Sequence, residues 1–442
     1  MLSTEPLIYA ELLPNIRQLS VLVALDAPCG PGTKAELSAD GQRFILQHEG
    51  DITTLNLPGQ AVSNFPLQKP VLGDKELSWR IPVAGQANKD SIENAQSNEA
   101  PWSAKELSED AEFACRDCGT IIVEKETIKE WRDLPSENWA EMMEFWHCHK
   151  PDLPPEEASG SSRRAGHVHP EEIAASKGYG ATSKFTARTG IGFIDLTTFL
   201  LYSTDCANLK ISETTVNHQS LASCASCHHD IGHHDHDSRG IRIYKWSLAL
   251  ISSQPRSIKF PSLASILSSK CLEILNANCV SRLIFEPEIF SSGQQSSASH
   301  STSATWPCST TSTVCSLTVS ELSRQQPKML SKMLSVESSR LLLWFLSPAL
   351  IYSTSICPST ESGKFITTLP KLAMKVFWKV ISADEAKTLL DGETAEGLML
   401  PGDIVAAIGR NLAESALCLP PSARKFNKEW DVALMNRYQP SR

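Results

Sequence analysis

Apolar and polar positions alternate through much of the first 85 residues: Leu19, Val21, Val23 and Leu25, then Leu77, Trp79, Ile81 and Val83. Successive side chains of a strand point to opposite faces, so each set predicts a strand with one face inward. Between Leu37 and Leu46, Asp40 and Gly41 separate two apolar stretches and predict a hairpin, because glycine adopts the positive φ of tight turns. Further strands are predicted within 184–202 and 240–251, at the apolar run LLLWFLSPALIY (341–352), and at 374–380. Ser382 and Glu385 form an S-x-x-E capping box that predicts a helix start, and more helix is expected after Pro401 and after Lys428.

Between these segments the pattern breaks. Residues 86–112 are polar and acidic and read as a linker, and PDLPPEEASGSSRRAG (151–166) reads as loop. Ser and Thr dominate 291–323, a composition that seldom builds a core and predicts a disordered insertion. The expected fold class is α+β, with an N-terminal β-rich domain (1–85), the acidic linker, a Cys-rich metal-clamped region (113–255), a poorly ordered Ser-rich insertion with its flanks (256–340), and a C-terminal region of strands and helices (341–442). No internal repeat is evident.

Composition narrows the function classes. A chain of 442 residues with 41% hydrophobic and 21% charged residues is long enough for two or three domains of about 150 residues. The formal charge of −9 argues against direct nucleic-acid binding, which rests on excess Lys and Arg. The longest apolar run falls short of the roughly 20 residues of a membrane-spanning helix and contains Pro348, so no membrane association is expected. The opening MLSTEPLIYAELL carries Glu5 and Glu11 and no basic lead, so no secretory signal is expected. The 13 cysteines should therefore stay reduced.

Two Cys-x-x-Cys pairs stand out, Cys115 with Cys118 and Cys224 with Cys227. Each spacing lets two thiolates grip one ion, and four thiolates complete a closed tetrahedral zinc site, so the pairs are expected to meet in space. Such a site would clamp distant parts of the chain. A thioredoxin-type redox pair would need a βαβ context that neither motif shows. A third cysteine element, LPSENWAEMMEFWHCH (134–149), places Trp139, Met142, Met143 and Trp146 at i, i+3, i+4 and i+7. That spacing gives one apolar helix face, read either as core or as a partner-docking surface made of Trp139, Trp146, Cys148 and His149. Cys148 or a flanking His could instead join Cys115 and Cys118 in a three-plus-one site. The cluster HHDIGHHDHD (228–237), with five His, reads as a solvated loop lacking enforced geometry.

These residues also carry a family resemblance. CRDCG (115–119), LPSENWAEMMEFWHCH, the second Cys-x-x-Cys with Gly232 and IYKWSL (243–248), and AMKVFWK (373–379) together resemble the HECT-like proteins that bind ubiquitin-conjugating enzymes and are classed as ubiquitin-protein ligases. The resemblance implies binding of a ubiquitin-conjugating enzyme, promotion of ubiquitin transfer, and residence in cytoplasm and nucleus. It also implies a link to the metallonuclease that cleaves pre-mRNA 3′ ends, with 134–149 docking on it as a chaperone or inhibitor would. The paired cysteines of the family correspond to Cys115, Cys118, Cys224 and Cys227. The Thr-Cys-Phe signature of true HECT domains is absent here. Cys148, beside His147 and His149, is the candidate nucleophile, whereas Cys418 has apolar neighbours and reads as core.

Overall fold

The computed structural model describes residues 6–85, 97–135, 185–216, 219–253, 256–288, 340–356 and 369–440. The N-terminal alternation produces β1 (Leu7–Leu13), β2 (Gln18–Ala24), β3 (Lys34–Leu37), β4 (Arg43–His48), β5 (Asp51–Asn56) and β6 (Glu76–Pro82). Leu19, Val21 and Val23 are fully buried along β2, as a period of two requires. The predicted hairpin joins β3 to β4, with Gly41 at φ 68° in its turn. A side chain on Gly41 would also collide with the Ala61 carbonyl, so both φ and close approach select glycine.

The chain then enters a second unit, Trp102–Phe260. Its strands are β7 (Glu112–Cys115), β8 (Ile121–Val123), β9 (Glu130–Asp133), β10 (Ile191–Ile194), β11 (Thr198–Leu201), β12 (Leu209–Val216), β13 (Gln219–Cys224), β14 (Asp230–Asp235), β15 (Gly240–Tyr244), β16 (Leu248–Ser253) and β17 (Arg256–Lys259). They form a seven-stranded sheet in the order β12-β13-β14-β15-β11-β10-β9 and a four-stranded sheet in the order β17-β16-β7-β8. The rings of Trp102, Phe113, Trp131 and Phe199 meet in the core of this unit with centroids 5.1–6.0 Å apart. Each such pair adds about 0.5–1.5 kcal/mol beyond simple burial. β9 and β10 pair in parallel.

The remaining elements are α1 (Leu263–Ala277), β18 (Arg282–Pro287), β19 (Arg340–Thr354), β20 (Lys371–Ile381), α2 (Ala383–Asp391), β21 (Glu396–Leu400), α3 (Gly402–Ser415), β22 (Lys425–Phe426) and β23 (Trp430–Asn436). They return to the first unit, which comprises Met1–Pro101 and Pro261–Arg442. Ser382 caps α2, its side chain accepting from the Glu385 amide at 3.1 Å, as the capping box predicts. The long β19 pairs at its C-terminal end with β1 and at its N-terminal end with β18.

Four sequence expectations change. The regions 1–85 and 341–442 share one nine-stranded sheet rather than forming two domains, because β19 covers the edge that β1 would otherwise leave unpaired. The stretch 86–112 is not all linker: Trp102 and Leu107 belong to the core of the second unit. Within 256–340, residues 256–288 form β17, α1 and β18. Serines masked α1, yet Ser268 and Ser269 are buried and bond the carbonyls of Ser265 and Ile266 on their own helix. The chain after Lys428 forms β23 and no helix; Val432, Ala433, Leu434 and Met435 are all buried, the pattern of a strand covered on both faces. The Ser-rich stretch 291–323 lies outside the described residues.

Candidate metal centre

Both Cys-x-x-Cys motifs close the end of a strand, and both do so in the same way. Cys115 ends β7 and Cys224 ends β13. In the first turn the Gly119 amide donates to the Cys115 carbonyl at 2.8 Å and the Cys115 amide to the Thr120 carbonyl at 2.8 Å. In the second, the His228 amide donates to the Cys224 carbonyl at 2.9 Å and the Cys224 amide to the His229 carbonyl at 2.9 Å. Gly119 and His228 both take left-handed φ, 76° and 61°. The residue after each first cysteine is tied to a more distant loop: Arg116 N–H donates to the Ser247 carbonyl at 2.9 Å and Ala225 N–H to the Asn208 carbonyl at 2.8 Å. Two matching knuckles result.

The knuckles bring their four sulfurs within 4.8 Å of one another. Cys115 Sγ lies 3.7 Å from Cys227 Sγ, and Cys118 Sγ lies 3.6 Å from Cys224 Sγ. All the described cysteines are free thiols. In each knuckle the first cysteine is buried and the second lies nearer solvent, with Cys227 exposed. Burial pushes the Cys115 thiol well above its ordinary range, and burial together with the Cys118 thiol pushes Cys227 up to about 11. Burial also acts against the Cys118 thiolate, but the Thr120 hydroxyl and amide and the thiols of Cys227 and Cys224 outweigh it, bringing Cys118 down to about 7. Four thiolates this close repel one another unless a cation lies among them, so the donor set suits a soft or borderline metal ion. A polar contact at the rim links the knuckles, His229 Nδ1 lying 3.1 Å from Asp117 Oδ2.

The other site residues read from the sequence are placed differently. Trp139, Trp146, Cys148 and His149 lie outside the described residues, and the chain leaves the described structure after Pro135, just beyond β9. Leu134 there donates to the Ile194 carbonyl at 2.7 Å, anchoring the exit point to β10. Cys418 is buried in the core of the first unit with Tyr9, Tyr352 and Leu419. The His cluster is not all solvated loop: its first part completes the second knuckle, Asp230–Asp235 form β14 with Ile231 and His233 buried, and His236 and Asp237 lie in the exposed turn that follows. His233 Nδ1 lies 3.4 Å from the Tyr244 hydroxyl, and burial pushes its pKa down to about 4. The alternation of Ile231 and His233 was a strand signal that histidine density obscured. The knuckle role of His228 had only a weak signal, since histidine is enriched at left-handed φ but far less diagnostic of it than glycine. Among the described residues no helix is long and apolar enough to cross a membrane.

The HECT-like ubiquitin-conjugating-enzyme (E2)-binding family matches residues 11–432. The chain therefore belongs to that family. Curated relatives resemble it over shorter stretches. An uncharacterized protein of Saccharomyces cerevisiae is 33% identical over 88 residues, which is 19% of this chain and 25% of the relative. An uncharacterized protein of Schizosaccharomyces pombe is 36% identical over 55 residues, 12% of this chain and 16% of the relative. The chain thus spans a quarter or less of the curated relatives it matches. No solved structure matches it significantly.

Proposed function

We propose that the protein binds a ubiquitin-conjugating enzyme and promotes transfer of its ubiquitin, on a scaffold clamped by zinc at Cys115, Cys118, Cys224 and Cys227. The observation that carries this reading is the family match, which runs through both knuckles and nearly the whole chain. Zinc is favoured by geometry: four sulfurs held tetrahedrally at Zn–S distances of about 2.3 Å lie about 3.8 Å from one another, close to the 3.6 and 3.7 Å between the paired thiols here. A closed four-sulfur shell leaves no open position, so the ion holds structure and takes no part in chemistry. It would join the β7–β8 turn to the β13–β14 turn and so fix one sheet of the second unit against the other.

Cys148, with His147 and His149 on either side in sequence, is the proposed acceptor of ubiquitin. Its thiolate would attack the thioester carbonyl of the charged conjugating enzyme, forming a new thioester and releasing the enzyme's own cysteine as thiolate. Among the described cysteines outside the knuckles, Cys29, Cys271 and Cys418 are buried and burial raises Cys206 to about 12, whereas Cys279 is exposed and is the rival acceptor that Cys279→Ala tests.

The test incubates the purified full chain with a panel of ubiquitin-charged conjugating enzymes. The expected result is capture and faster discharge of at least one of them, with a reducible ubiquitin adduct that Cys148→Ala abolishes. Discharge that survives Cys148→Ala removes the covalent step and leaves the binding role. Failure of every conjugating enzyme to bind overturns the reading. If a pre-mRNA cleavage nuclease then co-purifies and Trp146→Ala releases it, the docking role of 134–149 takes its place.

A further inference from the structure

In sequence alone, the histidines past the second knuckle read as a loop that imposes no ligand geometry. The structure supplies that geometry. His234 lies on β14, a strand paired on both sides, opposite Ser220 on β13 and Ile241 on β15. His236 follows at the turn into β15 and is exposed. Asp235 fixes this turn. It accepts from the amides of Asp237 at 3.0 Å and Ser238 at 3.3 Å, from the Ser238 hydroxyl at 2.6 Å, and from Arg242 Nε at 2.9 Å. With its carboxylate so committed, Asp235 holds the backbone that carries both imidazoles. Gly232 allows β14 to sit close to β15, where any side chain would strike the Arg242 backbone.

The result is a preset pair of rings. The His234 and His236 ring centroids lie 4.5 Å apart at an interplanar angle of 77°. Two imidazoles bound to one ion at about 2.0–2.1 Å have ring centres about 4.5 Å apart when cis at a right angle, and about 5.2 Å apart at a tetrahedral angle. The observed centroid separation is compatible with the right-angle case. His234 Nδ1 is shielded from solvent with no partner among the described residues. A buried polar nitrogen left in that state costs free energy unless a ligand occupies it. His236 Nε2 has Ser220 Oγ at 3.4 Å, a long contact that gives way to a stronger ligand bond.

We propose that His234 and His236 form a second metal site, distinct from the four-thiol centre, that takes a late divalent transition cation preferring right-angle nitrogen ligands: nickel(II) or copper(II). Neutral imidazole suits these ions, and tetragonal geometry separates them from the tetrahedral zinc proposed for the thiols. The ion would enter from the exposed His236 side, that ring swinging away from Ser220 to admit it to the shielded His234 Nδ1. The site stands independently of the ubiquitin reading, because neither imidazole belongs to the knuckles or to 134–149.

The test is calorimetric titration of the full chain with Ni2+, which avoids the thiol oxidation that Cu2+ causes. Wild type should take up one more Ni2+ per chain than the His234→Gln/His236→Gln double variant. His236→Gln alone should weaken that equivalent by about tenfold or more. Because His236 is exposed at a turn, this single variant keeps the test decisive if the double substitution disturbs the hairpin. Zinc content and the far-ultraviolet spectrum should stay unchanged in His236→Gln. Equal Ni2+ uptake by wild type and His236→Gln, or no uptake by wild type, overturns the proposal.

Discussion

The two knuckles reach one geometry from unlike sequences. CRDCG places glycine where the backbone must turn left-handed, while CASCH places His228 there, at φ 61° against 76° for Gly119. The left-handed region costs an ordinary residue about 1–2 kcal/mol that glycine avoids. The hydrogen bonds that close the two turns are nevertheless the same in kind and nearly the same in length. The turn is therefore imposed by what it must present, two sulfurs and the amides that point at them, and not by local preference. The Thr120 amide serves Cys118 as the His229 amide serves Cys227.

The largest expected effect on this equivalence is that of removing the proposed zinc. Structural zinc in small sites contributes about 10–16 kcal/mol to folding, so a strong chelator should melt the second unit. Cys115→Ser and Cys224→Ser should do so alike, as judged by hydrogen exchange across 102–260. If either variant retained protection, one knuckle would be dispensable.

The next effect separates the knuckles. The second leads into β14, where His233 is buried and held neutral, its pKa pushed from 6.5 down to about 4 by burial and then by Arg242. A neutral buried His that protonates more readily when unfolded contributes stability that is complete above pH 6.5 and lost as pH falls toward 4. The shift corresponds to about 3 kcal/mol. Asp235, held down to about 2 because Ser238 and Arg242 outweigh burial, adds a loss in the same direction at still lower pH. Stability of His233→Gln should fall less than that of wild type between pH 6.5 and 4, as measured by denaturant unfolding. Identical acid profiles would show that His233 does not set them.

Smaller effects come from the turns. Gly119→Ala should cost about 1–2 kcal/mol and His228→Gly should be neutral or stabilising by up to about 1 kcal/mol, an asymmetry read from the thermal unfolding of both variants. A like cost at both positions would mean that His228 makes contacts that offset its strain. The smallest effect is expected from Asp117→Asn, which removes the half-exposed partner of His229 and should change stability by about 0–1 kcal/mol.

Much of this was legible before any coordinates. Strand alternation located β2, the β3–β4 hairpin and β6, and Cys-x-x-Cys spacing named the four thiols that converge. Reading failed where composition concealed pattern. Serine hydroxyls satisfied on their own helix hid α1, and a strand buried on both faces made β23 resemble a helix. Imidazoles made β14 resemble a loop, although Asp235 staples it and Gly232 lets it pack. Pairing of β1 with β19, strands far apart in sequence, is a long-range choice that no local periodicity encodes.

Zinc K-edge X-ray absorption of the purified full chain examines the thiol centre most directly. Four sulfur neighbours at about 2.3 Å, one zinc per chain, and loss of that shell in Cys224→Ser are the results that two matching knuckles require. A first shell containing imidazole nitrogen, or zinc content unchanged by Cys224→Ser, would contradict them.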